Sequence, residues 1–230
     1  MPHTSKKAKR DVSSKRSNRL TYIVVAVIII IAASAGWYAF SSFKSTAATN
    51  TTTSSSSGPV YAIINTTQGV IEAQLFPSVA PKTVANFVNL ANSGFYNNLV
   101  WHRIVAGFVI QTGDPNTRNG GGNQSTWGTG GSNTTVPLET NSADVAAGYV
   151  NNVGYLGMAR LGSSTNSGTS QFYINLADNP SLNGQYTVFG KVISGMNVAL
   201  TIGSLPVNSN SQPITPSHAM VLSITIKNTP

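Results

Sequence analysis

The stretch Trp101-His102-Arg103-Ile104-Val105-Ala106-Gly107-Phe108-Val109-Ile110-Gln111-Thr112-Gly113-Asp114 is almost wholly apolar and β-prone, yet it carries one arginine and one glutamine. A run this apolar demands burial, and a guanidinium inside it needs a partner or a purpose. Further on, Ser170-Gln171-Phe172-Tyr173-Ile174-Asn175 sets another amide side chain in a similar run. Together they predict a sheet surface that is apolar but holds a few fixed hydrogen-bonding groups, which is the make-up of a ligand groove.

The rest of the chain beyond Pro59 has the same β character. Residues 60–65 and 70–76 flank Thr66-Thr67-Gln68-Gly69, a hairpin signal. Further strands are predicted at 99–105, 108–113, 153–159, 171–176, 187–193 and 220–227. In the last, Met220, Leu222, Ile224 and Ile226 alternate with Val221, Ser223 and Thr225. Val84, Phe87, Val88 and Ala91 recur at helical spacing, with Pro81 near the start and Gly94 as a stop signal. A shorter helix is expected around 196–202. Residues between Asp114 and Tyr155 are irregular and rich in Gly, Asn and Thr, a length of loop often tied to function. Its glycine clusters lack the Gly-Lys-Ser/Thr of a phosphate loop. These elements predict a mainly β domain at 59–230: a closed eight-stranded antiparallel β-barrel capped by two α-helices.

The basic charge belongs elsewhere. Of 14 Lys and Arg residues, eight lie in residues 1–44 against Asp11 alone, which leaves six basic and five acidic side chains for the remainder. Without a basic stripe the folded part is not expected to bind nucleic acid. Residues 20–40 carry no charge over 21 positions, enough for a transmembrane helix, with Tyr22, Trp37 and Tyr38 at the interfaces. Seven basic residues precede this span, so residues 1–19 are a cytoplasmic tail and everything beyond 40 is extracytoplasmic. Ala33-Ser34-Ala35 offers the competing reading of a cleaved signal peptide. The expected product is a single-pass protein of the cell membrane, with a signal anchor and a Ser/Thr-rich flexible linker at 41–58. Asn50, Asn65, Asn123 and Asn133 each begin an Asn-x-Ser/Thr sequon.

Several chemistries are excluded. With no cysteine there is no disulfide, thiolate metal site or cysteine nucleophile, and His3, His102 and His218 show no ligand spacing. No Gly-x-Ser-x-Gly elbow is present, and Glu72, Asp114, Glu139, Asp144 and Asp178 form no suggestive carboxylate pair. Asp114 reads as a turn residue. What remains is a groove with Arg103, Gln111 and Gln171 and no acid–base machinery. Rotation about a prolyl peptide bond suits that poverty, because it breaks no covalent bond and moves no proton. In the twisted transition state the amide nitrogen regains its lone pair, and an arginine aimed at it binds that state better than either planar isomer. The competing assignment pairs Arg103 structurally with Asp114 or Glu139.

Residues 60–228 resemble the cyclophilin-type peptidyl-prolyl isomerases, notably the compact prokaryotic kind. The resemblance rests on five stretches in the family's order. They are Pro81-Lys82-Thr83-Val84-Ala85-Asn86-Phe87, then His102-Arg103-Ile104-Val105 through Gly107-Phe108 to Gln111-Thr112-Gly113-Asp114. Gly157-Met158-Ala159, Ser170-Gln171-Phe172 and Val188-Phe189-Gly190-Lys191-Val192 follow. It implies that Arg103 is catalytic, with Phe108 flooring the proline pocket and Gln111 binding the substrate backbone and helping to hold Arg103. Val109, Tyr173, Leu182 and Tyr186 would surround the pocket, and Ala159, Arg160 and Gln171 would line the peptide groove. Strand parity independently puts Val109 with Gln111 and Gln171 with Tyr173. The resemblance further implies no metal or organic cofactor, a monomer, and proline-containing segments of unfolded or exported proteins as partners. Ser181 and Tyr186 replace the tryptophan and histidine of many eukaryotic members, so weak cyclosporin binding is expected. Other departures are Arg160 and Leu161 in place of the usual Asn and Ala, and Val109 in place of a methionine. A proline-binding module or holdase without turnover, or a cell-surface structural domain, are the alternatives.

Overall fold

The computed structural model describes residues 58–162 and 164–229. The predicted tail, membrane span and all but the last residue of the linker lie outside the described residues. Among those described, no helix is long and apolar enough to cross a membrane.

The chain enters through a hairpin of β1 (Val60–Thr66) and β2 (Gly69–Leu75), in which Thr66 pairs with Gly69. Thr66 Oγ1 donates to the Gly69 carbonyl at 2.7 Å and accepts the Gln68 N–H at 3.1 Å, tying the turn from within. Period two puts Ala62 and Ile64 of β1, and Ile71, Ala73 and Leu75 of β2, on one buried face. Helix α1 (Pro81–Asn92) follows, burying Val84, Phe87 and Ala91 as its spacing predicts. Ala80 gives it no side-chain cap. Glu139 does so from a distant loop, accepting the Lys82 and Thr83 N–H groups at 3.0 and 2.7 Å. A carboxylate is favoured there by the exposed N–H groups and the helix dipole. Gly94, at φ +71°, turns the chain so that its own N–H and that of Phe95 close on the carbonyls of Ala91 and Leu90.

The remaining strands are β3 (Leu99–Val100), β4 (Arg103–Val105), β5 (Val109–Thr112), β6 (Tyr155–Met158), β7 (Phe172–Asn175), β8 (Val188–Ser194) and β9 (Met220–Lys227). Two helices join them, α2 (Ser142–Ala146) and α3 (Met196–Gly203). All described strands form one sheet in the order β3-β9-β1-β2-β8-β6-β7-β5-β4.

Three expectations are corrected. The described residues hold nine strands, not eight, because the predicted strand 99–105 is interrupted at Trp101 and His102 and its halves pair with different neighbours. The sheet is not a closed ladder: its outermost strands, β3 and β4, are successive pieces of one run and cannot lie side by side as partners. A third helix, α2, is present beside the two expected, started by Asn141, whose side chain accepts the Ala143 and Asp144 N–H groups.

The predicted alternation of β9 also breaks. Thr66 pairs with Val221 and Asn65 with Ser223, so Leu222 is the extra residue of a bulge. Val221 and Ile224 are both buried as a result, and Leu222 is exposed.

At the centre, Phe172 is fully buried among the rings of Phe87, Tyr96, Trp101 and Phe189, with centroids 5.3 to 6.2 Å away and edge-on geometry. Trp127, from the glycine-rich stretch, is buried in the same core.

Candidate active site

Four neighbouring strands place one residue each in a transverse row. Arg103 pairs with Gln111, Gln111 with Tyr173, and Tyr173 with Gly157. The next row, Ile104, Ile110, Ile174 and Leu156, points to the other side and is buried in the core. One face of this part of the sheet thus feeds the core and the other presents polar and aromatic groups.

Arg103 is half-buried, and burial lowers its pKa from the usual arginine value, offset in part by the nearby Tyr186 phenol. The group remains a cation in this setting. Its guanidinium lies over the Phe108 ring, 5.7 Å from the centroid, so the aromatic face holds it in place of a counter-ion. Both carboxylates that could have paired with it are committed elsewhere. Glu139 caps α1. Asp114 is fully buried and accepts N–H groups from Asn116, Gly128 and Gly130.

Phe108 follows the turn at Ala106 and Gly107, its N–H donating to the Val105 carbonyl at 3.0 Å. Its carbonyl accepts from the Leu176 N–H at 2.8 Å and from Asn179 Nδ2 at 3.1 Å. Val109 begins β5 and is buried. Gln111 does not hydrogen-bond to Arg103. Its Nε2 donates to Gln171 Oε1 at 2.8 Å, and Gln171 Nε2 donates onward to the carbonyls of Gly128 and Gly130 at 3.0 and 2.6 Å. The segment 128–130 is therefore gripped twice, by Asp114 at its N–H groups and by Gln171 at its carbonyls. Gly130 has no room for a Cβ, which would overlap Asp114 Oδ1.

Tyr173 is buried, and burial holds its phenol well above the usual tyrosine pKa, a neutral donor. It donates to Asn151 Oδ1 at 2.7 Å, and its ring lies across Gly157, where a Cβ would overlap it. Tyr186 meets Tyr173 edge-on at 5.9 Å. Arg160 covers Tyr186 at 5.1 Å and is clamped by carbonyls. Its Nε donates to Gln185 at 2.7 Å, and its Nη1 reaches Leu161, Gly162 and Ser164 at 3.2, 3.0 and 3.3 Å. Ala159 runs along the strand edge, its N–H donating to the Gln171 carbonyl at 2.9 Å. Leu182 ends the short turn Pro180–Leu182, and its carbonyl accepts from the Gln185 and Tyr186 N–H groups.

The structure thus gathers Arg103, Phe108, Gln111, Gln171, Tyr173, Tyr186 and Arg160 into one linked surface. Val109 joins it by strand parity, Ala159 borders it, and Leu182 sits on the turn that delivers Tyr186. Sequence reasoning missed the asparagines behind it. Asn175 and Asn179 are buried and joined at 2.7 Å, and Asn179 connects them to the Phe108 carbonyl. Asn175, Asn179 and Asn183 recur every four residues, but such spacing in an Asn-rich chain reads as turn chemistry. His102 is also buried, and neither ring nitrogen has a hydrogen-bond partner of ordinary geometry.

The described residues thus define a class: a mainly β protein of one nine-stranded sheet, with an apolar core on one face and, on the other, an arginine without a carboxylate partner among them, set between amides and rings. Residues 61–225 match the family described as cyclophilin type peptidyl-prolyl cis-trans isomerase/CLD. The chain is 39% identical over 153 residues to peptidyl-prolyl cis-trans isomerase-like 1 of Aspergillus fumigatus, covering 66% of this chain and 87% of that protein. It is 36% identical over 154 residues to peptidyl-prolyl cis-trans isomerase ppi1 of Schizosaccharomyces pombe, covering 66% and 91%. A crystal structure of a cyclophilin-type peptidyl-prolyl cis-trans isomerase of Cryptosporidium parvum superposes with a TM-score of 0.64 at 31% identity, covering 75% of this chain and 99% of the other. The same protein has been crystallised in the presence of the dipeptide Ala-Pro, and that structure matches with a TM-score of 0.63. The chain belongs to the cyclophilin-type peptidyl-prolyl cis-trans isomerases. These relatives are eukaryotic and lend no support to the narrower likeness to the compact prokaryotic kind.

Proposed function

We propose that this isomerase accelerates X–Pro rotation in exported proteins through Arg103, at the outer surface of a membrane to which residues 20–40 anchor it. The observation that carries the catalytic part is the state of Arg103: half-buried, without a carboxylate partner among the described residues, and held over Phe108 beside Gln111. The barrier to rotation is roughly 18–20 kcal/mol and comes from amide resonance. As the bond twists, the prolyl nitrogen becomes an acceptor, and a fixed guanidinium donor gains a hydrogen bond that neither planar isomer offers. Phe108 seats the proline ring, within a pocket formed with Val109, Tyr173, Leu182 and Tyr186. Gln111 has Oε1 free of protein donors among the described residues and takes a substrate N–H. Ala159, Gln171 and Arg160 border the path of the flanking peptide. The protein works as a monomer on one segment at a time.

A holdase that binds proline without turnover would tolerate an Arg103 locked in an ion pair, and the commitments of Asp114 and Glu139 speak against that arrangement. The membrane location is supported by the uncharged 21-residue run and the seven basic residues before it.

The test compares residues 59–230 with and without Arg103→Ala in an NMR-exchange or protease-coupled assay on a proline tetrapeptide. A loss on the order of 100-fold in kcat/KM is expected, as for removal of one preorganised transition-state donor. Equal rates would remove the catalytic role. Protease added to intact cells should digest the sheet domain and spare residues 1–19, and the reverse pattern would overturn the orientation.

A further inference from the structure

Arg160 is the one guanidinium in the groove that the rotation mechanism leaves without a task. Its surroundings are unusual for a half-exposed arginine. Nε and Nη1 are spent on four backbone carbonyls, and the plane of the group rests on Tyr186. Those carbonyls come from two separate loops, one at 161–164 and one at Gln185, so the guanidinium is fixed from both sides. Among the described residues Nη2 donates to nothing, and no carboxylate approaches the group. Glu139 caps α1, Asp114 is buried beneath the glycine loop, and Asp178 accepts the Val153 N–H at 2.9 Å. The side chain is a preorganised cation with a free donor edge, and its rotamer entropy has already been lost in folding.

Its position relative to the proline site follows from the sheet. Arg103 and Tyr173 lie two strands apart in the transverse row, about 10 Å at the usual strand spacing. Tyr186 leans on Tyr173 at 5.9 Å, and Arg160 on Tyr186 at 5.1 Å. The Arg160 guanidinium is therefore one to two side-chain widths beyond the far wall of the proline pocket. An extended peptide advances about 3.3 Å per residue, so a side chain two or three residues from the proline reaches it. Arg103 and Arg160 make this end of the groove cationic, with no carboxylate among the described residues offsetting either.

We propose that Arg160 is a specificity determinant that selects proline segments bearing an acidic side chain two or three residues from the proline. The carboxylate accepts from Nη2 while Tyr186 backs the guanidinium plane. This rests on the isomerase reading above, since it concerns the same groove.

The experiment measures kcat/KM on matched peptides with Glu, Gln or Lys placed two or three residues from the proline, on either side. For the unaltered domain, Glu should exceed Gln by about two- to fivefold, the range of a partly exposed charged pair, with Lys below Gln. Raising the salt to several hundred millimolar should shrink the difference. In Arg160→Gln the Glu-to-Gln ratio should fall to one, and in Arg160→Lys, which keeps charge but loses the clamp, it should lie between. Equal turnover of Glu and Gln peptides by the unaltered domain overturns the proposal, and needs no variant to fold. A Glu preference that survives in Arg160→Gln assigns it to another group and also overturns it. Failure to turn over any peptide would instead strike at the isomerase reading, so the two failures are distinct.

Discussion

Gly157 is where the packing of the site makes its sharpest demand. Its partner across the ladder is Tyr173, whose ring lies so close that a Cβ at 157 would overlap it. The ring has little freedom to retreat, because it is 4% exposed and its hydroxyl is tied to Asn151, itself fully buried. Gly157→Ala therefore forces a choice between strain and displacement of the ring. Overpacking of a dense interior costs about 1–3 kcal/mol. Displacement would break the Tyr173–Asn151 bond, worth about 1 kcal/mol net. An opposing gain of about 0.4–1 kcal/mol comes from the lower entropy of alanine in the unfolded chain, since Gly157 has no positive φ to protect. The balance centres on a destabilisation of about 1–2 kcal/mol.

Urea unfolding of residues 59–230 should show this as a midpoint lowered by about 1 M, for a slope of 1–3 kcal/mol per molar. A displaced Tyr173 would also move the pocket wall, so KM should rise more than kcat falls. Tyr173→Leu removes the obstructing ring, and in the double variant the two effects should be non-additive by at least 0.5 kcal/mol. If Gly157→Ala unfolds within about 0.5 kcal/mol of the parent, or the two substitutions simply add, the argued contact does not govern this position.

Two further expectations concern the same neighbourhood. Burial lowers the His102 pKa from 6.5 to about 4, against an opposing pull from Asp114 and with a smaller push from Arg103. The unfolded chain takes up this proton near 6.5 and the folded one only near 4, so stability is full above that window and falls as the pH drops through it. The loss attributable to this side chain is about 3 kcal/mol, and unfolding curves of His102→Asn should lack it; a parent whose stability is flat across that range would refute the burial argument. Ser181 is exposed on the turn Pro180–Leu182 and offers neither ring area nor an indole donor. Cyclosporin should bind more weakly than about 1 μM, and Ser181→Trp should tighten it; sub-micromolar binding by the parent would refute this.

The residues whose placement is legible in the sequence are those governed by local periodicity and turn signals. α1 lies where Val84, Phe87 and Ala91 place it, and Gly94 turns the chain where a stop was expected. Parity puts Val109 with Gln111 and Gln171 with Tyr173, but the hydrogen bond that joins Gln111 to Gln171 runs between strands and lies beyond it. The failures share one cause: each depends on a partner remote in sequence. The run 99–105 looks like one strand because nothing in it announces that its first half pairs with β9 and its second with β5. The alternation of β9 breaks because one residue of β1 accepts two opposite it, and this bulge is a property of the pair. The same holds within the site. Asp114 has the sequence setting of a turn residue, and it does accept the Asn116 N–H two positions on. Its longer reach, to the N–H groups of Gly128 and Gly130, pins a glycine-rich stretch whose carbonyls at the same two residues are held by Gln171. That double grip also explains why Arg103 is left without a counter-ion among the described residues. The carboxylate nearest to it in sequence is drawn under the loop, and Glu139 is drawn to the uncapped start of α1. An arginine without a carboxylate partner among the described residues is therefore the outcome of two distant backbone segments holding both acids.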